Sequence, residues 1–225
     1  MKVLRAILFF LATLLIYLGV SLLGWGLSDF GGFFSSTPRL GYAIVVGLFS
    51  LAVGVQAYDS TEGIRGGKGE ENKFVFRQRL VRIALVLSLY IALFFIPFFD
   101  RRGIGVFGDG VAVRWLGVVL SALVFWSGVA LGRQYSADVT IQTGHHLITH
   151  SIYRFIRHPR YLGVIALSIG VSCIFRSWIG LIASVLFLII LLYRIKDEET
   201  LMHKEFSAEW ETYCKHSWRL IPYVF

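Results

Sequence analysis

Long uncharged runs alternate with short charged ones along this chain. No Lys, Arg, Asp or Glu lies between Arg5 and Asp29, Arg39 and Asp59, Arg82 and Asp100, or Arg114 and Arg133. Each run is close to the ~20 apolar residues that a helix needs to cross a bilayer. Two shorter uncharged runs flank Arg176 and predict a helical hairpin turning there. The pattern predicts an all-α, multi-pass transmembrane bundle of about six spans. The first run follows Lys2 and Arg5 in the manner of a signal peptide, but Leu22-Leu23-Gly24-Trp25 offers no small-residue cleavage site, so it is read as a retained span.

The spans around 6–28 and 40–58 read as packing helices, with Gly47 and Gly54 placed for close helix approach. The spans are expected to carry no buried acidic or basic residue of the kind that marks an ion path, which argues against a transporter. The segment from Asp59 to Arg82 has Gly63, Gly66, Gly67 and Gly69 among charges but no Lys-Ser/Thr ending, so it reads as a linker and not a phosphate loop.

Composition agrees with the pattern: of 225 residues 56% are hydrophobic and 16% charged, and the mean hydropathy is +0.68. That excludes an ordinary soluble domain. A net charge of +8 reports loop topology here and not a nucleic-acid partner. With both termini cytoplasmic, most of the 22 Lys and Arg fall inside, and Arg39, Arg101, Arg102, Arg114 and Arg176 fall on the other side. Cys173 and Cys214 have no spacing of a zinc site or disulfide framework.

All six histidines, at 145, 146, 150, 158, 203 and 216, lie from residue 145 onward, and six of the 14 acidic residues follow in the run from Asp197 to Glu211. The chemistry is therefore expected where two polar segments, roughly 134–161 and 193–225, meet at the foot of the hairpin. Pro159 suits a first helical turn, which puts His158 near the N-cap and Tyr161 one turn in. Arg194 and Glu198 are four apart and share a helix face. Phe206, Trp210 and Tyr213 form the apolar face of a terminal helix that lies on the membrane or caps the site. Trp115, Trp126, Trp178 and Trp210 read as anchors or packing residues.

The order His-x-Leu-Ile-Thr-x-x-x-Tyr from His145, Arg-His-Pro-x-Tyr-x-Gly from Arg157, a hairpin, Arg-x-x-x-Glu-Glu from Arg194, then Leu201, Phe206, Tyr213 and Arg219-Leu220-Ile221-Pro222 resembles the isoprenylcysteine carboxyl methyltransferase family and its phospholipid methyltransferase relatives. The resemblance covers about residues 140–222. It implies an integral-membrane enzyme using S-adenosylmethionine, with an N-terminal bundle over 1–133 and a catalytic, cofactor-binding region on the cytoplasmic side over 134–225. Carried over residue by residue, it puts His145, His146, Leu147, Ile148, Tyr153, His158, Pro159, Arg160, Tyr161 and Glu198 at the cofactor. It assigns Arg194 and Glu199 to catalysis, Arg194 on the substrate side, and no metal.

This chain departs from the family in having Ser151 where Gly is common two residues before the Tyr, and His150 where a small residue is usual. The implied partners are the bilayer and a lipophilic acceptor, prenyl- or lipid-linked or a small molecule, such as an isoprenylcysteine-type carboxylate or a related lipid or thiol. A carboxylate acceptor needs no general base, whereas a thiol or amine makes Glu199 or His158 a candidate base. Phospholipid N-methylation is an alternative within the class, and an NADPH-dependent membrane sterol-type reductase is the nearer rival outside it. His146 and His150 have the His-x-x-x-His spacing of membrane di-iron enzymes, but the histidine cluster is too small for that chemistry.

Overall fold

The computed structural model describes residues 2–59, 73–131, 147 and 149–224, with side chains of 59, 73–82 and 124–131 left out of the description. Among the described residues the regular elements are all helices, joined by turns and loops that hold two isolated bridges, Val106 with Ser177 and Ile156 with Trp218. Helix α1 runs Lys2–Trp25, with a wider π-turn at Leu15–Gly19. It is followed by the short α2 (Phe30–Phe34), α3 (Thr37–Asp59), α4 (Lys73–Arg102), α5 (Val111–Leu131), α6 (Pro159–Ile174) and α7 (Trp178–Lys215).

Among the described residues, four helices are long and apolar enough to cross a membrane: Lys2–Trp25, Thr37–Tyr58, Ile83–Arg102 and Trp178–Lys215. The described part of α5, Val111–Leu123, and α6 are shorter apolar helices. The described architecture is thus all-α, with four candidate spans among the described residues where the sequence pattern suggests about six.

The exterior of the bundle is apolar. Leu8, Leu48, Leu51, Leu87, Ile91, Val119, Ile182 and Leu186 are exposed, as a lipid-facing surface requires. Inside, Trp25, Phe33, Tyr42, Leu93, Val171, Ile174 and Phe175 form one core, and Ile165, Phe187, Leu191, Ile195 and Leu220 form a second nearer the polar segments. With little hydrophobic drive in lipid, close backbone packing decides which helices pair. A Cβ on Gly170 of α6 meets Ser121 Oγ at 2.5 Å and Gly117 O at 2.6 Å, and one on Gly117 of α5 meets Gly170 O at 2.5 Å. A Cβ on Gly24 of α1 meets the Phe94 carbonyl of α4 at 1.9 Å. Gly54 also packs closely, against Ala6 O at 3.1 Å, but Gly47 faces open space, contrary to the sequence expectation.

The hairpin turns at Arg176, which sits at φ 51° between α6 and α7. Because α6 and the apolar start of α7 each rise about 24 Å at 1.5 Å per residue, Arg176 and Arg194 lie at opposite ends of the bundle. Arg5 Nε donates to Ala57 O at 2.8 Å, so the start of α1 meets the end of α3. At the Arg176 end, Arg39, Arg101, Arg114 and Arg176 line one cavity, in keeping with their expected placement on a single side. Asp100, Arg39 and Arg114 are buried there, a correction to the expectation that the spans carry no buried charge. Of the tryptophans, Trp115 and Trp178 are exposed, Trp210 is buried, and the Trp126 side chain lies outside the described residues.

Candidate functional site

Helix α7 carries its apolar face from Trp178 to Tyr193 and then continues as the charged run Arg194-Ile195-Lys196-Asp197-Glu198-Glu199. Helix α6 delivers its first turn to the same level. Its N-cap is His158 and Pro159 occupies the first turn, as the sequence predicts, because proline has no N–H to leave unpaired there.

Tyr161 of α6 connects the two charged residues of α7. Arg194 Nε donates to the Tyr161 hydroxyl at 2.8 Å, and that hydroxyl donates to Glu198 Oε2 at 2.7 Å. Arg194 is buried and Glu198 half-buried. The His158 ring stacks on Tyr161, centroids 5.6 Å apart and planes 22° apart. Tyr153, in a short helical turn at Ser151–Arg154, has its phenol held protonated by burial, then by Tyr213 and Glu198 nearby. Tyr213 donates to Tyr153 O at 2.7 Å, so the terminal part of α7 caps the loop, with Trp210 edge-on to Tyr213.

Glu199 faces away from this chain of donors. Its Oε1 accepts from Arg157 Nε at 3.0 Å and from His158 Nε2 at 3.4 Å, and its Oε2 accepts from Arg219 Nε at 2.7 Å. Around it the backbone of the Arg-His-Pro loop pairs with the C-terminal tail: Arg157 N donates to Trp218 O, Trp218 N to Phe155 O, and His158 N to Arg219 O. Arg157 also donates to the Ser217 and Cys214 carbonyls. Glu199 is therefore the knot joining loop, helix and tail.

Burial on its own raises the Glu199 pKa, but His158, Arg219 and Arg157 outweigh it and hold the carboxyl down at about 2. A group so depressed contributes its stabilisation in full above its ordinary value of 4.5 and loses it as pH falls through the folded value. The protein is expected to lose roughly 3 kcal/mol of stability through this window. Glu199→Gln should lack that step, as read by thermal melting against pH in detergent.

The family's glycine position has a structural meaning here. Ser151 sits at φ 59°, in the left-handed region that a Cβ disfavours. Ser151→Gly is expected to stabilise the fold by about 0.5–1 kcal/mol, the left-handed penalty less the entropy glycine loses on folding. Chemical denaturation of the two forms checks it.

Of the residues assigned from sequence, the structure brings Tyr153, His158, Pro159, Arg160, Tyr161, Arg194, Glu198 and Glu199 to one end of the α6–α7 hairpin. Leu147 is half-buried just before them. His145, His146 and Ile148 lie outside the described residues. The sequence reading quoted Arg157 and Arg219 within motifs but missed their role as a clamp. Their partner Glu199 is 42 and 20 residues away, a separation no local periodicity reports. Among the described residues no group of three or more His, Cys, Asp or Glu is placed to hold a metal.

An all-helical bundle with four spanning-length apolar helices and a polar, partly buried constellation at one end is a membrane protein. Residues 113–204 match the model of the Isoprenylcysteine carboxyl methyltransferase (ICMT) family. The chain is 28% identical over 118 residues to a probable protein-S-isoprenylcysteine O-methyltransferase of Oryza sativa subsp. indica, covering 51% of this chain and 60% of the relative. It is 26% identical over 99 residues to protein-S-isoprenylcysteine O-methyltransferase A of Arabidopsis thaliana, covering 43% and 50%. A delta(14)-sterol reductase of Gallus gallus is 29% identical over 92 residues, 40% of this chain but 14% of its own. The chain thus spans 50–60% of the length of the methyltransferase relatives.

Proposed function

We propose that the protein is an integral-membrane methyltransferase that moves a methyl group from S-adenosylmethionine to a lipophilic acceptor, an isoprenylcysteine-type carboxylate or a related lipid or thiol. The observation that carries this reading is the Arg194–Tyr161–Glu198 chain of hydrogen bonds, built from two motifs of the matched family segment. The donor set fits the cofactor. A half-buried carboxylate at Glu198 suits an ammonium or ribose hydroxyls, and the Tyr153 and Tyr161 rings suit a cation or an adenine face. Leu147, His158, Pro159 and Arg160 complete the wall, together with His145, His146 and Ile148 as the resemblance assigns them.

When bound, S-adenosylmethionine supplies a methyl carbon activated by a sulfonium leaving group. Arg194 holds the acceptor as a charged partner. A carboxylate already carries the electron pair that forms the new C–O bond, so no proton needs removing. Glu199, occupied by three donors and held at about pKa 2, is a poor base near neutral pH. It serves as a positioning residue that keeps His158 and the loop against Tyr161. The polar segments face the cytoplasm in this reading, with both termini inside, and the acceptor arrives from the bilayer.

Calorimetric titration of detergent-purified protein with S-adenosylhomocysteine, and with NADPH in parallel, tests the class. Micromolar binding of the first supports it. Binding of NADPH alone moves the protein to the sterol-reductase reading, which the partial match to the Gallus gallus enzyme favours as the second choice. Transfer of labelled methyl groups to a prenylcysteine, compared with a phospholipid amine, then separates the acceptors.

A further inference from the structure

A cavity of about 690 Å³, open to the exterior, lies at the other end of the bundle. Its walls carry Arg39, Arg101, Arg114 and Arg176 against Asp29, Asp100 and Asp109. The acidic residues do not cancel the basic ones. Asp100, with a fully buried side chain, is shared by Arg176 at 2.6 Å and Arg39 at 3.4 Å. Asp109 is largely exposed and rests on Arg114 at 2.8 Å, and Asp29 lies 3.7 Å from Arg101. The four arginines thus exceed the three aspartates by one charge.

Two helix starts add to this. The first turn of α3 and the first residue of α5 both line the cavity, and each N-terminus carries roughly half a positive charge in unpaired donors. Thr37 and Ser36 supply hydroxyls beside them, Ser36 Oγ accepting from Arg114 at 2.7 Å, while Ser35 donates to Gly32 O. Val111, in the lining itself, and Phe30 and Leu40, next in sequence to lining residues, stay exposed, so the cavity mouth borders apolar exterior surface.

We propose that this cavity binds the phosphate of an anionic phospholipid headgroup, on the face of the membrane opposite the methyl-transfer site. A forked guanidinium suits phosphate oxygens, and a basic pocket between helices at the interface is a usual headgroup site. Asp109, an exposed carboxylate on Arg114, holds the place that the phosphate takes, and gives it up when lipid binds.

The test uses the full protein in detergent. Binding of dioctanoyl phosphatidylglycerol is measured by native mass spectrometry and thermal shift, beside dioctanoyl phosphatidylcholine and inorganic phosphate. Phosphatidylglycerol is expected to bind more tightly than phosphatidylcholine and to raise the melting temperature, whereas inorganic phosphate has little effect. Arg101→Gln is expected to weaken phosphatidylglycerol roughly tenfold, the loss of one charge-assisted contact. Asp109→Asn leaves the arginines intact and is expected to tighten binding several-fold. The proposal is overturned if phosphatidylglycerol does not bind, if inorganic phosphate alone stabilises as strongly, or if Asp109→Asn leaves the affinity unchanged.

Discussion

Glu198→Gln is expected to weaken S-adenosylhomocysteine binding about 10- to 100-fold, while Arg194→Ala leaves that binding within a few-fold and lowers methyl transfer by a similar factor. The split follows from the geometry. Glu198 and Arg194 both bond the hydroxyl of Tyr161, at 2.7 Å and 2.8 Å, and in the proposed reading they share this neighbour but divide the cofactor and the acceptor between them. Removing the carboxylate's charge deletes a charge-assisted contact to the cofactor's polar groups, worth roughly 1.5–3 kcal/mol. Removing the guanidinium leaves Tyr161 still donating to Glu198, so on the proposed function the cofactor wall stands while the acceptor loses its partner.

Tyr161→Phe discriminates further. It cuts both contacts, and is expected to lower affinity and turnover together. Titration calorimetry and single-turnover methyl transfer on the three variants read the pattern. Equal losses of binding in the Glu198 and Arg194 variants would sink the division of labour.

The sequence made one end of this molecule legible because its chemistry lies in short motifs. Arg-His-Pro places a helix start by the fixed φ of proline, and Arg-x-x-x-Glu places two charges on one face by helical pitch. Both are local rules, and the structure follows both. What lay between them was hidden: Tyr161 joins Arg194 to Glu198 only because α6 and α7 pack side by side. Glu199 reads in sequence as the second half of a glutamate pair, yet it turns to the loop and the tail through partners far along the chain. The four arginines were placed on one side by counting charges, but their meeting in a cavity depends on how four separate segments end. Gly47 shows the converse, a small residue in a plausible place that packs against nothing.

Gly170→Leu is expected to be strongly damaging although it lies outside the site, costing at least about 3 kcal/mol and abolishing recovery of folded protein. Helices α5 and α6 meet backbone to backbone at this point. A Cβ at position 170 falls 2.6 Å from Gly117 O, 2.9 Å from Ser121 N and 2.5 Å from Ser121 Oγ. A hydroxyl can rotate away, but a carbonyl and an amide inside a helix cannot. The helices must therefore separate along their length, and every apolar contact between them weakens.

Gly117 and Ser121 are four residues apart on α5, as are Ala166 and Gly170 on α6, the small-residue spacing that lets membrane helices approach. The same spacing was readable in the sequence, though only the packed structure shows which pairs face each other. Gly47→Leu, at a glycine with open space around it, supplies the control and is expected to leave the melting temperature nearly unchanged. Size-exclusion recovery and thermal melting in detergent compare the two. Because α6 carries Tyr161 at its other end, a partly folded Gly170→Ala form is also expected to loosen the Tyr161–Glu198 contact and weaken S-adenosylhomocysteine binding, joining the packing of the bundle to the site it positions.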